Sequence, residues 1–178
     1  MLIWLLIHFV GFLALLGAAV VMDVRERRIP NAVTVPALLF AVGIAAALPG
    51  RAVIPAAAGA LMALGLGFPL FAIGGIGAGD AKLLTAVGAF VGPTAMLAVI
   101  IWGGLAGCGL ALVDAARRRT VVPLLMNTLS LFIYLITLGR AGRRATLDTP
   151  GAQAVPYGVA IAVGALAAWF IPLPGTVL

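Results

Sequence analysis

Residues 2–22, LIWLLIHFVGFLALLGAAVVM, form an unbroken apolar run that ends on the charged stretch 23–31, DVRERRIPN. At 1.5 Å rise per residue a helix of this length reaches about 30 Å, the thickness of a bilayer's hydrocarbon core. The basic residues follow the run instead of preceding it, and no small-residue cleavage site stands behind it. That polarity is wrong for a cleaved signal peptide. It predicts a retained first helix with its N-terminus outside and Arg25, Arg27 and Arg28 in the cytoplasm. His8 is the only titratable group in the run and is expected to pack or snorkel, since no ligating partner lies nearby in sequence. Pro30 stops the first helix from running on, and Asn31 is placed to cap the second.

The rest of the chain repeats this texture. Of its 178 residues 64% are hydrophobic and only 9% charged, and its mean hydropathy is +1.25. A water-facing shell needs more charge than that. The 23 glycines suit helices that approach closely inside a membrane. An all-α, polytopic membrane protein is expected, with residues 1–178 as one membrane-embedded domain. The net charge of +6 raises nucleic acid as a partner. Yet the basic residues sit in short clusters beside apolar spans, at Arg25–Arg28, Arg117–Arg119 and Arg140–Arg144. Such clusters set topology and touch anionic lipid headgroups, so membrane lipids and no nucleic acid are the expected partners. The single cysteine, Cys108, can form neither an internal disulfide nor a multi-cysteine zinc site and is expected to be a small packing residue.

Further spans are expected at 32–48, ending in the turn Pro49-Gly50-Arg51, and at 53–73, running into Gly74-Gly75-Ile76-Gly77-Ala78-Gly79-Asp80. A short fourth span covers 80–91, Gly92-Pro93 breaks the pattern, and a fifth continues to 113. Segment 123–138 is nearly long enough to cross, but Asn127, Ser130, Tyr134 and Thr137 mark one polar face. Placing it at the interface keeps Arg140, Arg143 and Arg144 in the cytoplasm. The last span is expected at 155–171, giving six crossings with both termini outside. Asp23 follows the first span and Asp80 the third, so two crossings return them to the same membrane face.

Those two acids are the ones to explain, because a carboxylate beside an apolar span is costly. Asp23 by itself has a plainer account, an i,i+4 pairing with Arg27. Glu26, Asp114 and Asp148 lie in basic or loop segments and read as solvated charges. Asp80 follows Gly77-Ala78-Gly79, where glycines permit a sharp turn and close approach of a second chain. An acid there would repel phosphate, and the lysine-serine ending of a P-loop is missing. Two carboxylates on separate helices at one face suit general acid–base hydrolysis through a shared water.

Asp23 with Arg25, Arg28, Ile29, Pro30 and Asn31, followed by Gly77-x-Gly79-Asp80-x-Lys82, resembles the type IV prepilin peptidase family of Gly-x-Gly-Asp membrane aspartyl proteases. Pro156-Tyr157-Gly158, opening the last span, resembles the short members that serve tight-adherence (Flp-type) pili. The resemblance covers nearly the whole chain in order and spacing. It implies a catalytic pair, Asp23 and Asp80, that cuts prepilin or pseudopilin leaders at the cytoplasmic border of a bacterial inner membrane. Gly77, Gly79, Lys82, Pro30 and Asn31 would support the motif, with no metal or organic cofactor. The methylating members carry a segment with paired cysteines, which this sequence lacks, so peptidase activity without methylation is expected. Within the pair, Asp80 opens a helix beside Lys82 and is expected to hold the water. Asp23 closes a helix and is expected to protonate the scissile amide, the two titrating jointly.

Two other readings compete. A Gly-x-Gly-Asp intramembrane protease of other specificity would share Asp80, but segment 23–31 resembles the prepilin enzymes and the last span has no Pro-Ala-Leu. A non-catalytic scaffold or ion carrier would use the acids for ion binding. Such carriers often show inverted repeats, and none is visible in the sequence.

Overall fold

The computed structural model describes residues 2–47, 53–137 and 156–171. Within them lie six helices and no strand: α1 (Leu2–Glu26), α2 (Asn31–Ala47), α3 (Val53–Ala72), α4 (Ala78–Arg118), α5 (Val121–Ile136) and α6 (Tyr157–Phe170). The turn expected at Pro49-Gly50-Arg51, the cluster Arg140, Arg143 and Arg144, Asp148 and the start of the last span at residue 155 lie outside the described residues.

The buried residues of α1 are His8, Phe12, Leu15, Leu16, Ala19 and Asp23. Their steps of three and four draw one stripe down the helix, and Asp23 sits on that stripe. The opposite face exposes Leu2, Ile3, Leu6, Val10, Leu13 and Val21, the arrangement of a helix that meets lipid on one side and other helices on the other. The sequence placed the end of this helix at Asp23. The structure carries it one turn further, closing with a hydrogen bond from Arg27 N–H to Asp23 C=O at 3.0 Å and a left-handed Arg27, φ 50°. Asp23 is therefore an inward-facing residue of the final turn.

α4 is broken at Gly92, whose φ of 77° and ψ of 175° leave the helical region, and Pro93 cannot donate the backbone bond that would continue the ladder. Leu84 and Gly104 line one cavity together with Tyr157 and Ile161 of α6. In a straight helix those two residues would be about 30 Å apart. The chain therefore reverses at Gly92-Pro93 into two arms, 78–91 and 93–118, where the sequence placed the break between the fourth and fifth spans. Just before the break, His8 Nε2 lies 3.1 Å from Phe90 C=O. A carbonyl only accepts, so Nε2 carries the proton there. His8 is thus a packed residue that occupies a carbonyl at a helix end, where the ladder lacks donors.

Close approach of helices is set by glycine. A Cβ on Gly59 of α3 would collide with Gly88 C=O and Gly92 of α4, and one on Gly164 of α6 would collide with Gly103. Gly103 and Gly107 face α6, whereas a Cβ on Gly104 or Gly109 would meet nothing within 4 Å. The glycines of this arm thus divide into packing positions and open ones. Phe12 ties the layers together, with ring centroids 5.5 Å from Phe90 and 5.4 Å from Trp169. Cys108, expected to pack, is exposed; its neighbours Gly103 and Gly107 already fill the α6-facing side of this arm.

By length and composition α1, α3 and α4 can each cross a membrane, and α2, α5 and α6 are shorter apolar helices. α5 meets only α4 among the described residues, and none of its described side chains is buried. Thr128 and Thr137 bond their hydroxyls to the carbonyls four residues earlier, which quiets polar groups on an apolar helix.

The α3–α4 seam gives a direct check. Gly88→Val would push two branches against Gly59 C=O and Ala63; overpacking of this kind costs about 1–3 kcal/mol. Its thermal midpoint in detergent is expected to fall measurably, while Gly104→Ala leaves the midpoint unchanged.

Candidate active site

The segment between α3 and α4 is built from glycines with different tasks. α3 ends in a Schellman turn: Gly75 N–H bonds Leu70 C=O at 2.8 Å, Gly74 N–H bonds Phe71 C=O at 2.9 Å, and Gly74 takes φ 79°. Ile76 is buried and pins the loop. Gly77 caps α4 in an extended conformation, and its N–H donates to Asp80 Oδ2 at 3.1 Å. The acid thus returns to the start of its own helix, as the acidic member of a capping box does. A Cβ on Gly79 would stand 3.1 Å from the N, O and Cβ of Ile29. The first turn of α4 therefore lies directly on the backbone of the 29–31 segment, in a contact that a larger residue at 79 would have to push apart.

Asp23 approaches from the other side. It is 6% exposed, and its Oδ2 accepts a hydrogen bond from Gly158 N–H at 2.7 Å. Gly158 lies in the first turn of α6, whose free N–H groups point out of the helix end. The division of labour drawn from the sequence rested on Asp23 closing a helix. Its carboxylate instead meets the opening of α6, as Asp80 meets the opening of α4. Both acids face a helix N-terminus, so the dipole argument no longer separates their roles.

The two motifs are joined by a side-chain contact. Lys82 Nζ donates to Asn31 Oδ1 at 2.8 Å. Asn31, expected to cap α2, spends its side chain on this link instead, and Pro30 C=O accepts from Val33 N–H as α2 begins. Asp23, Pro30, Asn31, Gly77, Gly79, Asp80 and Lys82 all line one cavity of about 560 Å³. The structure thus gathers every site residue that the sequence singled out. The carboxylates of Asp23 and Asp80 are near enough for their charges to act on each other. Glu26, Arg27 and Arg28 line the same cavity. Asp114 lies apart from it, paired with Arg118 at 3.0 Å on the exposed face of α4, as a solvated charge.

What sequence reasoning missed is the grip of α6 on Asp23 and the part played by Ile29. Its backbone carries Gly79, and its Cδ1 would stand 2.9 Å from a Cβ on Gly158. The signal for an inward Asp23 was present in the stripe from Phe12 to Asp23. Gly158 stood out in the motif that opens the last span, but nothing in that motif pointed to Asp23, 135 residues away, as its partner. Chemically, two carboxylates from different helices lining one cavity can exchange protons with one water and one substrate atom.

The model of the type IV leader peptidase family matches residues 10–112, which include both aspartates and stop short of α6. No match is found among curated proteins or among solved structures.

The Asn31–Lys82 link can be measured by a double-mutant cycle with Asn31→Leu and Lys82→Met. The hydrogen bond is exposed, so a coupling of about 0.5–1 kcal/mol is expected in denaturant unfolding. Additive effects of the two substitutions would show that the motifs are held together by backbone packing alone.

Proposed function

The chain belongs to the type IV leader peptidase family, and from that membership we propose that it is a membrane aspartyl endopeptidase that removes the leader of Flp-type prepilins. The observation that carries this reading is the single cavity shared by Asp23 of α1 and Asp80 of α4. Cleavage takes place at the cytoplasmic face of a bacterial inner membrane. In support, Arg27 lines a second, smaller cavity with Arg117 and Arg118, so two basic clusters lie at the end of the bundle that holds the acids. The positive-inside bias assigns such an end to the cytoplasm, where the arginines meet anionic headgroups.

The reaction needs one proton shuttled between two acids. The ionised carboxylate takes a proton from water as its oxygen attacks the scissile carbonyl carbon. The protonated partner stabilises the developing oxyanion and then delivers its proton to the amide nitrogen as the C–N bond breaks. The products are a carboxylate on the leader and an amine on the mature pilin, with water's atoms divided between them. A substrate with a polar leader before an apolar helix fits the location: the helix lies among the glycine-rich spans, and its junction reaches the acids at the bundle's end.

Co-expression with a Flp-type prepilin tests this on gel mobility of the pilin. Wild type is expected to remove the leader, and Asp23→Ala and Asp80→Ala each to lower the rate by on the order of 10²–10⁴-fold. Cleavage that survives both substitutions would sink the aspartyl mechanism. Equal cleavage of unrelated type IV prepilins would remove the Flp-type preference and leave the peptidase reading standing.

A further inference from the structure

The match to the family ends at residue 112, yet one of the two acids is held by a residue beyond it. Gly158 N–H lies 2.7 Å from Asp23 Oδ2 in a buried contact. The fit leaves no slack: a Cβ at position 158 would stand 2.8 Å from Oδ2 and 3.1 Å from Cγ of Asp23. A methyl at this position has to displace the carboxylate beside it, since this N–H lies in an ordinary helical turn.

The place of that N–H is fixed from elsewhere in α6. Six residues on, Gly164 rests against Gly103 of the second arm of α4, in a contact where a Cβ on Gly164 would collide with the Gly103 backbone. Near the start of the helix Tyr157 covers Gly107, whose added Cβ would lie 3.4 Å from its ring. At the far end Trp102 Nε1 donates to Ile171 C=O at 3.2 Å. α6 is thus seated lengthwise on α4, and α4 also carries Asp80 at its first turn. A shift of α6 by even a fraction of a turn would carry the donor away from Asp23, because each residue advances the helix by about 1.5 Å.

We propose that α6 is the positioning element of the site, with Gly158 N–H setting the orientation of Asp23 relative to Asp80 through the seat of α6 on Gly103 and Gly107. Gly158 touches neither substrate nor water in this role; it is a positioning residue that acts through Asp23. The inference rests on the peptidase reading for its kinetic consequence and on geometry alone for its structural one, and the two are tested separately.

The test compares wild type, Gly158→Ala and Asp23→Asn, purified in detergent, by prepilin cleavage kinetics, thermal midpoint and infrared spectroscopy with labelled aspartate. The Asp23 carboxyl band is assigned by its loss in Asp23→Asn. In Gly158→Ala the band is expected to shift, because the methyl displaces the carboxylate from its donor. kcat is expected to fall by about 10–100-fold with KM within about twofold, as misplacement of a reacting group does, and the thermal midpoint to stay near that of wild type. An unshifted band, or a loss of activity matched by an equal loss of folded protein, would overturn the positioning role. If Gly158→Ala does not fold, Ile29→Ala/Gly158→Ala removes the Ile29 Cδ1 collision and leaves the methyl facing Asp23 alone, and the same readings decide. Should wild type leave prepilin intact, the peptidase reading fails, and the infrared shift still decides whether α6 holds Asp23.

Discussion

A carboxylate set among apolar helices has to be met by donors that the protein itself supplies. Placing one at mid-membrane costs on the order of 2.5–3.5 kcal/mol even on lenient scales, and an unsatisfied acceptor adds to that cost. Both acids here are met in the same way, by a backbone N–H in or beside the first turn of a helix: Gly77 for Asp80 and Gly158 for Asp23. Backbone donors bring no charge of their own and no side-chain entropy to lose. They add no further side chain to a cavity that a water and a peptide bond would have to enter.

That solution places a steric demand on the residues that donate or abut. A side chain at 79 would press on Ile29's backbone, and one at 158 would displace the ends of the Asp23 and Ile29 side chains. Ile29 is the shared wall. It separates α4's first turn from α6's first turn and fixes both against the 29–31 segment. The glycines at 59, 88, 103 and 164 answer a different demand, the close approach of helix axes. One residue type thus serves two purposes, and only geometry tells them apart.

Much of this was legible in the sequence. The apolar runs located the helices, Gly92-Pro93 marked the reversal of α4, and counting crossings put Asp23 and Asp80 on one membrane face, where the structure has them line one cavity. Local patterns carried that information because helix length, helix breaking and face periodicity are local properties. Three readings failed for the complementary reason. Asn31 looked like a cap, but Lys82 lay 51 residues further along the chain. Cys108 looked like packing, but the adjacent glycines had taken the inner face. Asp23 looked like a helix terminus, but its stripe turned it inward to a donor from the last helix. Each was decided by a partner distant in sequence, and a one-dimensional pattern holds no record of such partners.

The order of the contacts along the chain has a consequence for how the site comes into being. α1 and α2 can bring the 23–31 segment into place, and α3 with the first arm of α4 can form the Gly-x-Gly-Asp turn against it. Those steps use neighbours in sequence, with small loop-closure costs. The donor to Asp23 is supplied by α6, the last described helix along the chain, where it rests on the second arm. The hydrogen bond that holds Asp23 thus depends on the seam between α4 and α6, a contact between parts of the chain distant in sequence, and α1 with the first arm of α4 would not supply it.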